Sequence, residues 1–222
     1  MEYDTVLFDL DGTLLNSLED LSDSVNAALR EAGYPQRSMQ EIKKFVGNGA
    51  WLLVARALPD NTENRVIEHC IELFRKYYKQ KMNHKTKPYD GIIDLLKELQ
   101  IRNIKMGIVS NKYDLAVKFL CKEFFSPYIQ VAIGENEKIR KKPSPDGVWA
   151  AMQELNSKKE KTIYVGDSDI DIQTAKNAGV FSVGITWGFQ TKETLLKENP
   201  WKIVDSPAEI LRACLNFTEK KF

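Results

Sequence analysis

The chain has 222 residues, 43% hydrophobic and 28% charged, and its 32 Lys+Arg against 31 Asp+Glu leave a formal net charge of +1. That balance supplies none of the basic excess by which nucleic-acid and membrane-surface proteins hold their partners, and no apolar run approaches the roughly 20 residues of a membrane span. The length suits one or two domains at about 150 residues each. The first element is predicted over 5–10, TVLFDL, an apolar run rich enough in β-formers for a buried strand. From about 17 to 85 no strand is convincing. Ser17 with Asp20 resembles a capping box, and Leu18, Leu21, Val25, Ala28, Leu29 and Ala32 then recur at helical spacing until Gly33 stops the helix. Ser38 starts a second helix through Ile42 and Phe45, and two more are expected over 50–58 and 63–82. The rest alternates. Strands are predicted at IKMGIVSN, YIQVAIG, TIYVGD, VFSVGIT and WKIVD, and helices over 91–99, 114–124, 145–155, 169–178 and 207–215. The tail from Thr218 is expected to fray.

Strands separated by helices imply βαβ units. The expected fold is therefore α/β, a Rossmann-like parallel sheet core with helices on both faces. Residues 1–15 and 86–222 form that core, and residues 16–85 are an α-helical cap inserted after the first strand. Cys70, Cys121 and Cys214 are scattered, with no CxxC or Cys/His metal spacing, which points to a reducing compartment. The start MEYDTVLFD has neither the basic nor the apolar region of a signal peptide, so a cytoplasmic location is expected.

In an open parallel sheet, ligands bind outside the carboxyl ends of the strands. Three strand candidates end in chemically loaded residues: Asp9-Leu10-Asp11-Gly12-Thr13, Ser110-Asn111-Lys112, and Gly166-Asp167-Ser168-Asp169-Ile170-Asp171. Between the last two lies IRKKPSPDG, with Lys142 before Pro143. Asp9 and Asp11, two apart in an extended chain, point to one side. With Asp167 they make a set of hard oxygen ligands suited to Mg²⁺. An ionised carboxylate can also attack phosphorus and form an aspartyl phosphate. A bound Mg²⁺ and the Lys142 ammonium would offset the repulsion between that anion and a phosphate. Ser110 and Asn111 can donate to the remaining phosphate oxygens, and Asp11 can pass a proton to the leaving oxygen and later take one from water.

Four motifs in order, DLDGT, SNK, the lysine of KKPSPD, and GDSDID, resemble those of the haloacid dehalogenase-like hydrolase superfamily, over essentially the whole chain. The resemblance is to phosphatases with a small helical cap after the first strand. It implies Asp9 as nucleophile and Asp11 as acid/base. Implied metal contacts are the Asp9 carboxylate, the Asp11 main-chain carbonyl and the Asp167 carboxylate, with Asp171 supporting them. The cap segment DGTLLNSLEDLSDSVNAALREAGYP and FVGNGAWLLVARAL are similar to the phosphoglycolate phosphatases, except that Asn16 stands where such sequences more often carry aspartate. The expected substrate is accordingly a small phosphorylated metabolite, phosphoglycolate first, acted on by a monomer or homodimer with no nucleic acid or membrane partner. Gly47, Gly49 and Arg56 are the candidates for selecting a carboxylate-bearing ester.

Other readings weigh less. DLDGT alone is a strand ending in an Asp-Gly turn. An EF-hand needs glycine sixth and glutamate twelfth, and from Asp9 those positions hold Leu14 and Asp20. Neither GxxxxGK[ST] nor GxGxxG after a strand is present. Asp169 reads as a helix N-terminal residue, and His69 and His84 have no partner pattern. A pyrophosphatase, a nucleotidase or a sugar-phosphate mutase of the same superfamily remains open, as does a module that binds phosphorylated ligands without turnover.

Overall fold

The computed structural model describes residues 3–215, so the segment from Thr218 lies outside the described residues. The first strand, β1 (Thr5–Phe8), is followed by a two-residue strand, β2 (Leu15–Asn16), and by four helices: α1 (Leu18–Glu31), α2 (Met39–Phe45), α3 (Ala50–Ala57) and α4 (Asn64–Lys81). A second short strand, β3 (Lys87–Pro88), returns the chain. It leads into α5 (Ile92–Ile101), β4 (Lys105–Tyr113), α6 (Asp114–Phe125), β5 (Val131–Glu135) and α7 (Asp146–Glu154). The chain continues through β6 (Thr162–Gly166), α8 (Asp169–Ala178), β7 (Phe181–Ile185), α9 (Lys192–Lys197), β8 (Lys202–Val204) and α10 (Pro207–Leu215).

Six strands form one sheet in the order β5-β4-β1-β6-β7-β8, and every pairing is parallel. All four residues of β1 are buried, as a central strand covered on both faces requires. Its side chains alternate between two cores. Leu7 packs with Val148 and Ala151 of α7 and Ala175 of α8, while Val6 and Phe8 pack with residues of α5 and α10 such as Leu96 and Ile210. Helices therefore cover both faces, as the sequence reading of an α/β sheet expected. No helix among the described residues is long and apolar enough to cross a membrane.

Between β1 and α5 the sequence folds as helices that pack on one another, α1 and α3 each against α4. The two chain crossings beside them pair antiparallel, Leu15 with Pro88 and Asn16 with Lys87. Two-residue strands carry no periodicity, so the sequence predicts no strand at either crossing.

One expected local feature is corrected. Ser17 does not cap α1 through its side chain. Its hydroxyl donates instead to Asp11 Oδ1 at 2.5 Å. Asp20, the supposed other half of the box, is buried and accepts from Lys85 N (3.0 Å), Thr86 N (2.8 Å) and Thr86 Oγ1 (2.7 Å). Both polar side chains are thus drawn away from the local motif, Asp20 to the backbone of the second crossing and Ser17 to the Asp11 carboxylate. Complete capping boxes occur at Ser38/Glu41 and Ser168/Asp171.

Candidate active site

The sheet order places β1 between β4 and β6, so the three loaded strand ends meet. Asp9 follows β1, Ser110 and Asn111 lie near the end of β4, and Asp167 follows β6. Carboxylate oxygens of Asp9, Asp167 and Asp171 all lie within 4.8 Å of one another, and all three residues are buried. Lys142 arrives from the loop before α7. Its Nζ is 2.8 Å from Asp9 Oδ1, 2.6 Å from Asp171 Oδ1 and 3.0 Å from the Tyr164 hydroxyl.

Charge and burial explain the state of these groups. Burial pushes the Asp9 carboxyl up from 3.8 to about 6, against the pull of the nearby Lys142 ammonium. Burial, reinforced by Asp171 and Asp9, raises Asp167 well above the usual carboxylate range. Burial alone would lower Lys142, but Asp171 and Asp9 outweigh it and hold the ammonium protonated. Both carboxyls are thus raised first by burial, with the neighbouring aspartates adding to it and Lys142 opposing it.

The same region is shaped for an ion. Asp9 Oδ1 is buried beside the Lys142 ammonium at 2.8 Å. A Cβ on Gly12 or Gly188 would collide with the Asp167 carboxylate, so glycine at both positions keeps that side chain's space open. Asp167 is aimed by Phe189 N at 2.6 Å and Thr13 Oγ1 at 3.2 Å. Asp171 is held by Ser168 N at 3.0 Å and Ser168 Oγ at 2.6 Å. Three hard carboxylates converging beside the Lys142 ammonium fit a divalent cation such as Mg²⁺.

Asp11 stands apart from this cluster. Lys112 Nζ contacts both its oxygens, at 2.8 and 2.7 Å, and Ser17 Oγ contacts one. The carboxylate of Asp171 therefore joins Asp9 and Asp167, whereas that of Asp11 faces Lys112. Asn111 also differs from expectation. Its amide donates to Lys142 O and to Gly47 O, each at 3.2 Å, and accepts from Lys142 N at 2.7 Å. Its side chain seats the lysine loop and reaches the loop before α3, rather than lying open for a phosphate. Ser110 is buried at the strand end, where its Oγ accepts from Lys112 N at 3.4 Å.

Two participants were not singled out from sequence. Lys112 is buried between Asp11 and the ring of Tyr78 on α4, its Nζ 4.5 Å from the ring centroid. Its only sequence signal is its place as third residue of SNK. Tyr164, on β6, bridges Lys142 and Val109 O, and a tyrosine inside an apolar strand carries no signal at all. Arg56 turns away from the site and donates to Phe45 O (3.2 Å) and Asn48 Oδ1 (2.8 Å). Asp169 begins α8 and accepts from Gln190 Nε2 at 3.0 Å, outside the cluster.

At the carboxyl edge of a parallel sheet, three buried aspartates thus meet the buried Lys142 ammonium, a donor set suited to a divalent cation and a phosphoryl group. The chain belongs to the haloacid dehalogenase-like hydrolase family, whose model matches residues 6–185. It is 32% identical to the phosphoglycolate phosphatase of Pseudomonas syringae pv. syringae over 217 residues, 95% of this chain and 79% of that protein. It is 34% identical to that of Aquifex aeolicus over 185 residues, 83% of this chain and 85% of the other. A crystal structure from Lactobacillus delbrueckii subsp. bulgaricus, provisionally designated a phosphoglycolate phosphatase, superposes with a TM-score of 0.92 at 32% identity. It covers 96% of this chain and 99% of its own.

Proposed function

We propose that this enzyme hydrolyses a phosphate monoester through an aspartyl phosphate on Asp9, with Mg²⁺ as cofactor. The observation that carries the reading is the meeting of Asp9, Asp167 and Asp171 around Lys142 at the carboxyl edge. Asp9, Asp167 and the Asp11 main-chain carbonyl would hold the ion, with Asp171 supporting them. When bound, Mg²⁺ supplies positive charge to the phosphate and to Asp9.

An Asp9 oxygen attacks phosphorus, and the bond from phosphorus to the ester oxygen breaks. The electron pair stays on the leaving oxygen, which takes a proton from Asp11. Water then attacks the phosphoenzyme, gives a proton to Asp11, and the Asp9–phosphorus bond breaks. Lys142 offsets the charge that builds on the phosphoryl oxygens, and Ser110 donates to one of them. Asn111 fixes the loop that carries Lys142. Residues 16–85 act as a cap over this edge, hinged near Asn16 and Thr86 and excluding bulk water when closed.

Phosphoglycolate enters as a substrate through the names of the relatives. The reducing, cytoplasmic setting draws support from three free cysteines, all buried. The test is release of phosphate from p-nitrophenyl phosphate and from phosphoglycolate with and without Mg²⁺, in the native enzyme and in Asp9→Asn. Mg²⁺-dependent turnover that Asp9→Asn abolishes supports the reading. Turnover retained by Asp9→Asn sinks the covalent step.

A further inference from the structure

A cavity of about 490 Å³ opens onto Asp9 and Asp11, within the range of roughly 300–1,000 Å³ that takes drug-sized ligands. Its floor is polar: Asp9, Asp11, Ser110, Asn111 and Lys112 line one end. Its walls are not. Ala50 and Leu53 come from α3, Phe74 and Tyr78 from α4, and Ala116 and Phe119 from α6. Glycolate is a small, charged group that would leave most of that wall bare.

The cations of the lining are poorly placed for a second carboxylate. The Lys112 ammonium is already held by Asp11. The Arg75 guanidinium lies over the Tyr113 ring, 5.6 Å from its centroid. Arg75 and Lys79 are exposed, where water screens an ion pair to about 1 kcal/mol or less. Arg56, the cation expected from sequence, is bonded elsewhere. Meanwhile Leu115, Tyr113 and Phe119, which also line the cavity, are 63%, 47% and 40% exposed. Single exposed apolar side chains are ordinary, but several on one concave surface mark a binding site.

The geometry points to a phosphate monoester whose leaving group is largely apolar, an alkyl chain or an aromatic ring, packed against α3, α4 and α6 while the phosphate sits at Asp9. This rests on the phosphatase reading and goes further, because it sets the substrate class by the cavity wall. The phosphoryl end is gripped by charge. Selectivity comes from buried apolar area, which grows with the leaving group.

A series of primary alkyl phosphates tests this, since ethyl, butyl and hexyl phosphate share nearly the same leaving-group chemistry. With Mg²⁺ present, each buried methylene is expected to raise kcat/KM by about two- to fourfold, so hexyl phosphate should exceed ethyl phosphate by at least tenfold and should also exceed phosphoglycolate. Alkylphosphonates, which cannot turn over, should follow the same order in Kd. Leu115→Ser and Phe119→Ser alter partly exposed side chains, and p-nitrophenyl phosphate turnover checks that each variant is folded. Each should lower the hexyl-to-ethyl ratio by about threefold. A flat series, a preference for phosphoglycolate over hexyl phosphate, or a ratio that neither variant changes would overturn the inference while leaving the phosphatase reading intact. Failure to hydrolyse any ester, p-nitrophenyl phosphate included, would overturn both.

Discussion

Replacing Lys142 by methionine keeps length and removes charge, and the consequence can be worked from the geometry. Lys142 Nζ lies 2.6 Å from Asp171 and 2.8 Å from Asp9. At an effective dielectric of about 20, each contact carries about 6 kcal/mol of Coulomb attraction. Much of this is offset by taking an ammonium and two carboxylates out of water. Removing one partner of a buried pair still costs about 3–5 kcal/mol, because the other partner keeps its desolvation penalty. For a chain of this size, about 2–4 °C of Tm per kcal/mol gives a fall of about 6–20 °C. The assay is thermal unfolding in EDTA, repeated with saturating Mg²⁺. The cation should recover part of the loss, since it returns positive charge to the same oxygens. Lys142→Arg, which keeps the charge but not the compact ammonium, should fall between the two. A Lys142→Met protein that melts in EDTA within about 2 °C of the native one would refute the view that this ammonium stabilises the buried carboxylates.

Asp9→Asn keeps shape and removes the charge that the proposed mechanism uses to attack phosphorus. Its turnover should drop by about 10³-fold or more while its melting temperature in EDTA does not fall, and residual activity of a tenth would contradict the assignment. Chelation should abolish turnover and Mg²⁺ restore it. Asp167→Ala should raise the Mg²⁺ requirement or remove activity with the fold intact by circular dichroism, and full activity in excess EDTA would dismiss the metal role. The raised Asp9 carboxyl sets a pH dependence for the cation-free protein. Because its pKa is about 6 folded and 3.8 as the reference, the folded state binds the proton more tightly. That contribution is complete below the reference value and is lost as pH rises through about 6. The gain in melting temperature on adding Mg²⁺ should therefore be larger at pH 7.5 than at pH 5, and an equal gain at both would contradict the shift.

The strands that carry the candidate site were legible because each is a short, continuous apolar run, the mark of a parallel strand covered on both faces. The predicted run of 5–10 was too long only because Asp9 and Leu10 belong to the turn that presents the carboxylate. What escaped was nonlocal or too short for periodicity. β2 and β3 exist only because Leu15 meets Pro88 across seventy-odd residues of sequence. The six-residue α9 begins where Thr191 accepts from Thr194 N, a cap without a full helical pattern behind it. Ser17 and Asp20 misled for a different reason. They have the spacing of a local motif, but the Asp11 carboxylate and the backbone of Lys85 and Thr86 compete for them.

The site divides along the same line. Asp9, Asp167 and Asp171 sit at strand and helix ends that the sequence locates, so their convergence follows from the strand order alone. Lys112 did not stand out, because its role is visible only once Asp11 and Tyr78 are brought to either side of it. The cavity wall is the extreme case. Ala50, Phe74 and Phe119 come from separate helices, each reading as an ordinary apolar face packed into a core. Side chains that handle a fixed chemical group can be read from local motifs, because the group constrains residue type and spacing. Side chains that select the remainder of a substrate need only be apolar and of the right size. Their assignment to a pocket rather than to a core depends on where α3, α4 and α6 leave space between them, and that is a property of the folded chain.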